Sequence, residues 1–271
     1  MSAAVLVNGV SPVDPLHALS VEDRGFHYGD GLFESALLAN GRVRFLEQHL
    51  RRLALGCERL GIEAPSAALL RSDVQRLSGS AQRGVFKIVV SRGTGPRSYR
   101  PSARSRPTRV VALYPPPPQP ASEELALRWC ATRLGRNARL AGIKHLNRLE
   151  QVLAQAEWHD EAVVDGLMLD TEGELISGTA NNVFVVRDGA LLTPDLRFCG
   201  VHGIMRAEVL LTARALGIAV HEEPLWPADV ERASEIFLTN AVRGIRSISS
   251  LGSLRWSAAA VADRLRQALQ L

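Results

Sequence analysis

The sequence predicts a protein of mixed α and β structure that is built from two domains. Its 271 residues are 46% hydrophobic and 22% charged, which is ordinary for a globular chain long enough to bury one large core or two modest ones. Residues 115–120 read PPPPQP, and four consecutive prolines lack backbone donors and favour an extended conformation. We therefore expect a proline-rich linker at 115–122 between a smaller N-terminal domain, 1–114, and a larger C-terminal domain, 123–271.

In the N-terminal domain, hydrophobic alternation predicts strands, and apolar spacing predicts two helices. Asn40-Gly41 is a strong hairpin signal, so the sheet is antiparallel at least there. Gly61 ends one apolar helical stripe, and Ser66 is placed to cap a second helix. The predicted strands are 4–9, 32–38, 84–91 and 108–114, and the predicted helices are 46–60 and 67–77.

In the C-terminal domain, predicted strands alternate with predicted helices. The strands are 162–169, 183–186 and 236–239, and the helices are 147–157, 204–216 and 257–269.

Composition excludes several classes of protein. The formal charge is +4, but basic and acidic residues are interspersed without the basic run expected of a nucleic-acid partner. No apolar stretch is long enough to span a bilayer and the first residues carry no basic segment, so we expect no membrane partner and a cytoplasmic location. Cys57, Cys130 and Cys199 fit neither a disulfide framework nor a metal-binding spacing, and no HExxH is present, so no metal is expected.

Only two residues offer a side-chain amine. Lysine occurs at Lys87 and Lys144 alone, and the other basic residues are arginines, which stay protonated and cannot act as amine nucleophiles. Alternation in VFKIVV places Lys87 opposite Phe86 and Ile88, as a partly solvated strand residue. Lys144 lies where an irregular segment enters a helix, and such junctions often carry functional groups.

Several polar and glycine-rich segments are open to two interpretations. Residues 23–35, DRGFHYGDGLFES, form a glycine-rich turn before a strand and lack a P-loop GK[ST]. The segment 200–206, GVHGIMR, enters a helix, where the amides of Gly203, Ile204 and Met205 suit either a simple glycine cap or an anion site. Thr239 and Asn240 end a strand, either as an Asx-type turn or as polar groups of a site.

Taken together, these segments resemble a known family. In chain order they are DRGFHYGDGLFE, EQHLRRL, VVSRGTGPRSY, RLGRNARLAGIKHLNRLEQ, SGTANNVF, GVHGIMR and LTNA. Each alone is weak, but the seven in this order resemble the fold-type IV pyridoxal-phosphate enzymes, and within them the bacterial aminodeoxychorismate lyases. The resemblance implies a two-domain α+β fold like that of the D-amino-acid aminotransferases.

The resemblance also implies a cofactor and the residues that hold it. The cofactor is pyridoxal 5′-phosphate, and Lys144 in AGIKHLNRLEQ matches the Schiff-base lysine. Arg52 would clamp the phosphate, the amides at Gly203–Met205 would bind it, and Thr239 or Asn240 would close the other side. Many family members place a glutamate opposite the pyridine nitrogen; the matched residue here is Ser177, so we expect a weaker electron sink.

The reaction implied is the lyase step that converts 4-amino-4-deoxychorismate to 4-aminobenzoate and pyruvate through an external aldimine, in folate biosynthesis. The small-molecule substrate carries two carboxylates, for which Arg92, Arg97 and Arg243 are candidates. Tyr28 or His27 would reach the site from the other subunit of a homodimer. The alternatives are a branched-chain or D-amino-acid aminotransferase of the same fold, or a binding module without cofactor.

Overall fold

The computed structural model describes residues 4–102, 105–118 and 124–271. Two compact units are present: the first comprises Met1–Pro118 with Ile143–Asn147, and the second comprises Gln119–Gly142 with Arg148–Leu271. Residues 119–122 of the predicted linker lie outside the described residues. No helix in the described ranges is long and apolar enough to cross a membrane.

The first unit is a single antiparallel sheet with two helices on one face. The strand order is β1-β5-β4-β2-β3, and α2 packs on β2 while α3 packs on β5 and β1. In chain order the elements are β1 (Ala4–Val7), α1 (Arg24–Tyr28), β2 (Gly31–Ala39), β3 (Arg42–Val43), α2 (Leu46–Leu60), α3 (Ala67–Ser78), β4 (Arg83–Ser91) and β5 (Thr108–Tyr114).

Local signals determine where these elements begin and end. Asn40 and Gly41 both take positive φ, 51° and 70°, as a tight hairpin between β2 and β3 requires. Gly61 ends α2 in the left-handed conformation at φ 63°. The Ser66 side chain accepts a hydrogen bond from the Leu69 amide at 3.3 Å and so caps α3.

Alternation along β2 and β4 divides the side chains of the sheet between two faces. Phe86 and Ile88 are fully buried, whereas Lys87 between them is exposed, as predicted. Phe33 and Ser35 are half-buried, and Ser35 lies directly opposite Lys87 in the register. The face of the sheet that carries Glu34 packs on α2, so Phe33, Ser35 and Lys87 share the opposite face.

The segment Ile143–Asn147 belongs to the first unit, although we expected it in the C-terminal domain. It extends the sheet along β2: the Phe33 amide donates to the Lys144 carbonyl and the Leu146 amide donates to the Gly31 carbonyl, both at 2.9 Å. A side chain at Gly31 would meet the Val90 carbonyl and Leu146. The segment joins the first unit because β3 pairs only with the last residues of β2. The first residues of β2 are therefore left to pair with the segment.

The second unit contains two five-stranded sheets, ordered β11-β10-β9-β12-β13 and β15-β14-β6-β7-β8. Their apolar side chains meet in one core that includes Leu127, Leu167, Val183 and Ile236. Helices α5 and α7 pack on β12 and β13. The elements are β6 (Ala126–Trp129), α4 (Leu149–Gln155), β7 (Val163–Leu169), β8 (Leu175–Gly178), β9 (Asn182–Arg187), β10 (Ala190–Pro194), α5 (Ile204–Ala215), β11 (Val220–Glu223), α6 (Pro227–Glu231), β12 (Glu235–Asn240), β13 (Gly244–Ser247), β14 (Ser250–Leu251), β15 (Leu254–Arg255) and α7 (Ala260–Leu269).

Candidate active site

In the first unit, both lysines of the chain lie beside one aromatic ring. Lys144 is half-buried, and its Nζ lies 4.4 Å from the centre of the Phe33 ring. Lys87 Nζ lies 4.9 Å from the centre of the same ring. The only two side-chain amines of the protein therefore lie close together, held by backbone pairing of β2 with β4 on one side and with the Lys144 segment on the other.

Arg52 is held by a buried carboxylate on the other face of β2. Its Nε donates to Glu34 Oε1 at 2.7 Å, and its Nη2 donates to Glu34 Oε2 at 2.5 Å. His49 Nδ1 lies 2.6 Å from Glu34 Oε2, and it carries the proton because an ionised carboxylate only accepts. The bidentate pair fixes the plane and direction of the Arg52 guanidinium.

The ionisation of Glu34 follows from this arrangement. Burial raises the pKa of Glu34, but the Arg52 guanidinium and the His49 hydrogen bond outweigh burial and hold the pKa below its usual range. Glu34 is 1% exposed, so the pair is little screened by solvent.

Arg92 is engaged within the first unit. Its Nε donates to Asp30 at 2.7 Å, and its Nη1 and Nη2 donate to the Gly61 and Leu60 carbonyls at the end of α2. Arg24 donates to the same carboxylate of Asp30 at 2.9 Å. A substrate carboxylate at Arg92 would have to compete with these bonds.

Three other candidate residues line one cavity of the first unit. The cavity has a volume of about 430 Å³, and Tyr28, His27 and Arg97 are among its lining residues. Arg97 is exposed, and the Tyr28 ring lies 5.5 Å from the ring of Tyr99. The structure thus brings these three predicted substrate residues together.

In the second unit, the start of α5 lies beside two polar strand residues. Gly203 is the N-cap, and a side chain there would collide with Asn182 Oδ1. Asn182 Nδ2 donates to the Val201 carbonyl at 2.9 Å. Thr239 lies directly opposite Asn182 in the register of β12 and β9, so both side chains are on the same face of the sheet.

Thr239 carries a buried hydroxyl that no described group satisfies. The residue is 1% exposed, and its Oγ1 has no hydrogen-bond partner among the described residues. Because the first amides of α5 also have no acceptor within the helix, the surroundings of Ile204 and Met205 offer several donors to an anion.

Asn240 forms the Asx-type turn that was one of its two interpretations. Its Oδ1 accepts hydrogen bonds from the amides of Val242 and Arg243 at 3.0 and 2.7 Å. Its Nδ2 donates to Asn181 Oδ1 at 2.6 Å, so the side chain orients the chain after β12. Arg243 is half-buried at the end of this turn.

Ser177 lies on β8 opposite Met168 and is 9% exposed. Near it is a buried carboxylate that the sequence analysis did not single out, Asp165, which accepts from the Thr179 amide at 3.0 Å and from the Thr179 hydroxyl and the Asn181 amide group. Through Asn181 this network reaches Asn240. The sequence does carry a signal that could have pointed to Asp165, because it is an acidic residue inside the apolar strand VVDGLML.

Other reactive groups do not assemble into a site. The three cysteines are buried and unpaired, and burial raises the pKa of both Cys130 and Cys199 to about 12. Within 4–102, 105–118 and 124–271, no three side chains of the metal-binding types come together.

Comparison with known proteins places this architecture in a family. The model of the class IV aminotransferases matches residues 31–251, and the chain belongs to that family. An aminodeoxychorismate lyase of Vibrio harveyi is 30% identical over 250 residues, 91% of each chain. A D-alanine aminotransferase of Bacillus licheniformis is 27% identical over 91% of this chain and 88% of its own.

Solved structures agree with this assignment. The crystal structure of 4-amino-4-deoxychorismate lyase from Pseudomonas aeruginosa matches 98% of this chain and all of its own, with a TM-score of 0.91 and 40% identity. The branched-chain amino acid aminotransferase of Escherichia coli has the same fold, with a TM-score of 0.89 at 21% identity. The fold is therefore that of the fold-type IV enzymes, as the sequence resemblance implied.

Members of this family depend on pyridoxal phosphate, which confirms the predicted cofactor. Each unit carries groups of the kind that this cofactor needs. In the first unit, Lys144 offers an amine for the aldehyde. In the second unit, the start of α5 and the unsatisfied Thr239 hydroxyl offer donors for a phosphate.

Proposed function

We propose that this protein is a pyridoxal-phosphate-dependent lyase that converts 4-amino-4-deoxychorismate to 4-aminobenzoate and pyruvate, a step toward folate. The observation that carries the proposal is the 40% identity, over nearly the whole of both chains, to the 4-amino-4-deoxychorismate lyase of Pseudomonas aeruginosa. The relative that is 30% identical bears the same name.

The resemblance to the family assigns the residues that would hold the cofactor. Lys144 would bond to it, Arg52 and the amides of Gly203, Ile204 and Met205 would bind its phosphate, and Thr239 would donate its hydroxyl to the same group. Asn240 would support this set by ordering the turn after β12 rather than by direct contact. When bound, the cofactor supplies an electron sink conjugated to the substrate amine.

Lys144 would then move the protons of the reaction. As a free amine, its Nζ would accept the proton from the ring carbon that bears the substrate nitrogen. The bond between the ring and the enolpyruvyl oxygen breaks, the ring becomes aromatic, and the same Nζ returns a proton to the departing group, which leaves as pyruvate. The Phe33 ring lies beside this amine, with its centre 4.4 Å from Nζ.

Ser177 suits this chemistry better than it suits transamination. We propose that it faces the pyridine nitrogen, where a hydroxyl stabilises a positive charge less than a carboxylate does. Formation of an aromatic ring favours the lyase product strongly, so less carbanion stabilisation is needed.

We further propose that the substrate carboxylates are met by Arg243 of one copy and by Arg97 of a second copy in a cytoplasmic homodimer, the second copy also contributing Tyr28 and His27 from the cavity that they share with Arg97. Support for a second copy comes from large exposed aromatic side chains on the first unit: Phe26 is 78% exposed and Tyr99 is 88% exposed. Arg92 would act indirectly, because it shares Asp30 with Arg24, and Arg24 donates to the Ser98 and Tyr99 carbonyls of the loop that carries Arg97.

The second candidate function is an aminotransferase acting on D-amino or branched-chain amino acids. It is favoured by the similarity to the D-alanine aminotransferase of Bacillus licheniformis.

One experiment separates the two candidates. Purified holoprotein is given 4-amino-4-deoxychorismate, and 4-aminobenzoate and pyruvate are quantified by chromatography; the lyase proposal expects both in equal amounts. In parallel, D-alanine and L-leucine are supplied alone, and the cofactor spectrum is followed. Conversion of the cofactor to its amine form at a rate above that of 4-aminobenzoate formation would overturn the lyase proposal and support the aminotransferase.

A further inference from the structure

Arg24 is a buried cation whose three guanidinium nitrogens are all engaged. The residue is 3% exposed. Its Nε donates to Asp30 Oδ2 at 2.9 Å, its Nη1 donates to the Ser98 carbonyl at 2.5 Å, and its Nη2 donates to the Tyr99 carbonyl at 3.2 Å. One side chain therefore joins the residue before β2 to two carbonyls that lie 74 and 75 residues later in the chain than Arg24.

The two carbonyls belong to an exposed segment, residues 96–100. Among the described residues, this segment forms hydrogen bonds with the rest of the first unit only through Arg24, and its other hydrogen bonds lie within the segment. A side chain at Gly95, just before the segment, would come within 3.0 Å of Arg24 Cδ. The chain thus enters the segment in close contact with the stem of Arg24.

Arg24 also contacts the Tyr28 ring, one turn further along α1. Its Cζ lies 4.8 Å from the centre of that ring, and the rings of Tyr28 and Tyr99 are 5.5 Å apart. Arg24, Tyr28 and Arg97 line the same cavity. Arg24 therefore lies beside residues that the proposed function assigns to the substrate, while its own nitrogens are engaged by the protein.

Charge compensation of Asp30 does not account for this arrangement. Arg92 donates to both oxygens of that carboxylate, at 2.7 and 3.0 Å, so Asp30 has a bidentate partner without Arg24. What Asp30 supplies to Arg24 is an anchor at Nε, which directs the two Nη groups at the carbonyls of the 96–100 segment.

We propose that Arg24 is a positioning residue that fixes the 96–100 segment so that Arg97 is held ready for a substrate carboxylate. The inference rests on the proposed function, in which Arg97 meets such a carboxylate. A segment that is ordered before the substrate arrives loses less conformational entropy on binding, so the carboxylate is bound more tightly. The planar guanidinium presents donors in several fixed directions, which the single nitrogen of a lysine cannot reproduce.

The first test measures how firmly the segment is held in the holoenzyme. Trypsin cleaves after Arg97 at a rate set by how often the segment opens, and mass spectrometry distinguishes this bond from the others. Arg24→Lys keeps a positive charge beside Asp30 and leaves the number of tryptic bonds unchanged, but one nitrogen cannot bond the carboxylate and both carbonyls. We expect Arg24→Lys and Arg24→Met to raise cleavage after Arg97 about tenfold, the effect of losing one hydrogen bond from a charged donor. Cleavage of Arg24→Lys at the parental rate would mean that only the charge matters, and would overturn the proposal.

Arg109→Met is the matched control. Arg109 is another ion-paired arginine of the first unit: its Nε donates to Asp73 at 2.6 Å, and its side chain is 12% exposed. It forms no hydrogen bond with residues 96–100 in the described structure, so its replacement destabilises the unit without touching the segment. Cleavage after Arg97 should stay at the parental rate. A rise equal to that of Arg24→Met would assign the effect to general destabilisation and contradict the role of Arg24.

A double-mutant cycle tests whether Arg24 acts through Arg97. We expect Arg24→Lys to raise KM for 4-amino-4-deoxychorismate about tenfold with a smaller change in kcat. In the Arg97→Met background the same substitution should leave KM nearly unchanged, because the group that Arg24 positions is gone. Equal effects in both backgrounds, or a parental KM in Arg97→Met alone, would overturn the proposal.

A failure of the proposed lyase function would look different. If the parent protein formed no 4-aminobenzoate and instead transaminated amino acids, the lyase proposal would fall, and the cycle would be run with D-alanine or L-leucine, whichever the protein uses. Each of these carries a carboxylate, so the same tenfold rise in KM is expected of Arg24→Lys. The trypsin measurement does not depend on the reaction, and unchanged cleavage after Arg97 would overturn the role of Arg24 for either activity.

Discussion

At the scale of single residues, Lys144 is placed by its backbone rather than by its side chain. The hydrogen bond from the Phe33 amide to the Lys144 carbonyl does not depend on the amine, so Lys144→Ala should fold normally. We expect this variant to lose lyase activity and to give no cofactor-labelled peptide after borohydride reduction, whereas the parent is labelled at residue 144. Peptide mapping by mass spectrometry locates the label.

The position of Lys87 means that this labelling experiment needs a further control. We interpreted it as a strand residue of the other domain, but it lies in the same unit as Lys144 and beside the same ring. The double variant Lys144→Ala with Lys87→Met therefore serves as the blank. A label at Lys87 in the parent protein would contradict the assignment of Lys144.

Ser177 is the residue at which the chain departs from the commoner pattern of its family. Introducing a carboxylate there would favour protonation of the pyridine nitrogen and a stronger electron sink. We expect Ser177→Glu to raise the rate of transamination with D- or L-amino acids relative to 4-aminobenzoate formation. Both rates are measured on one preparation at equal cofactor occupancy.

Ser177→Gln provides the control for size, because it has the shape of glutamate without its charge. If the glutamine variant shifted the ratio as far as the glutamate variant did, the effect would come from packing against Met168, the residue opposite on β7.

At the scale of elements, the buried Thr239 hydroxyl at the contact of α5 with β12 leads to a prediction about stability and cofactor binding. The Thr239 hydroxyl is buried without a partner in the described residues, which costs free energy unless a ligand satisfies it. Thr239→Val, of nearly the same shape, should raise the free energy of unfolding of the cofactor-free protein by about 1 kcal/mol and weaken cofactor binding about tenfold. Urea unfolding and a fluorescence titration measure the two effects.

Thr193 is the matched control for that change. It is fully buried on β10, in the same sheet, but its hydroxyl donates to the Val183 carbonyl at 2.8 Å. Thr193→Val should therefore lower the free energy of unfolding and leave cofactor affinity unchanged. Destabilisation by both substitutions would remove Thr239 from the phosphate site.

The elements that the sequence predicted correctly are those with local signals. The Asn40-Gly41 hairpin, the Gly61 stop and the Ser66 cap each depend on residues within one turn, and all three are confirmed. Most strands that escaped prediction are short, such as β8, β14 and β15. They exist because a distant strand offers them an edge, which no local window reveals.

The site residues divide in the same way. Lys144, Gly203 and Thr239 stand in motifs that the sequence could single out by resemblance. Glu34, which orients Arg52, and the neighbourhood of Lys87 depend on strands that meet only in the fold. Pairings between residues far apart in the chain are the part that pattern reasoning could not supply.

At the scale of the whole molecule, buried ion pairs in the first unit link stability to pH. The pKa of Glu34 is lowered in the folded protein. The stability that ionised Glu34 contributes is therefore complete above the pKa that Glu34 has in the unfolded chain, and it is lost as pH falls through the lower pKa of the folded protein. Glu34→Gln removes the carboxylate to which both Nε and Nη2 of Arg52 donate. We expect the substitution to lower the free energy of unfolding by about 3–5 kcal/mol at pH 7. The difference in unfolding free energy between the variant and the parent should narrow below about pH 4.

The chain carries its own probes for this measurement. All three tyrosines lie in the first unit and all four tryptophans in the second, so tyrosine absorbance and tryptophan fluorescence follow the units separately during urea unfolding. Glu47→Gln is the control, because Glu47 and its partner Arg71 are both about half exposed and their pair is screened by solvent. A gap for Glu34→Gln that did not change with pH would show that Glu34 is not ionised in the folded protein.

The pairing of Ile143–Asn147 with β2 has a consequence for how the protein is made. During synthesis the chain leaves the ribosome from its N-terminus, and domains generally fold as they emerge. The first unit, however, lacks its last five residues until Asn147 has been made, after the chain has already entered the second unit and returned. A nascent chain stalled at Pro118 would present the first residues of β2 as an open edge, and Lys144 would reach its place beside Phe33 only when residues 143–147 close that edge.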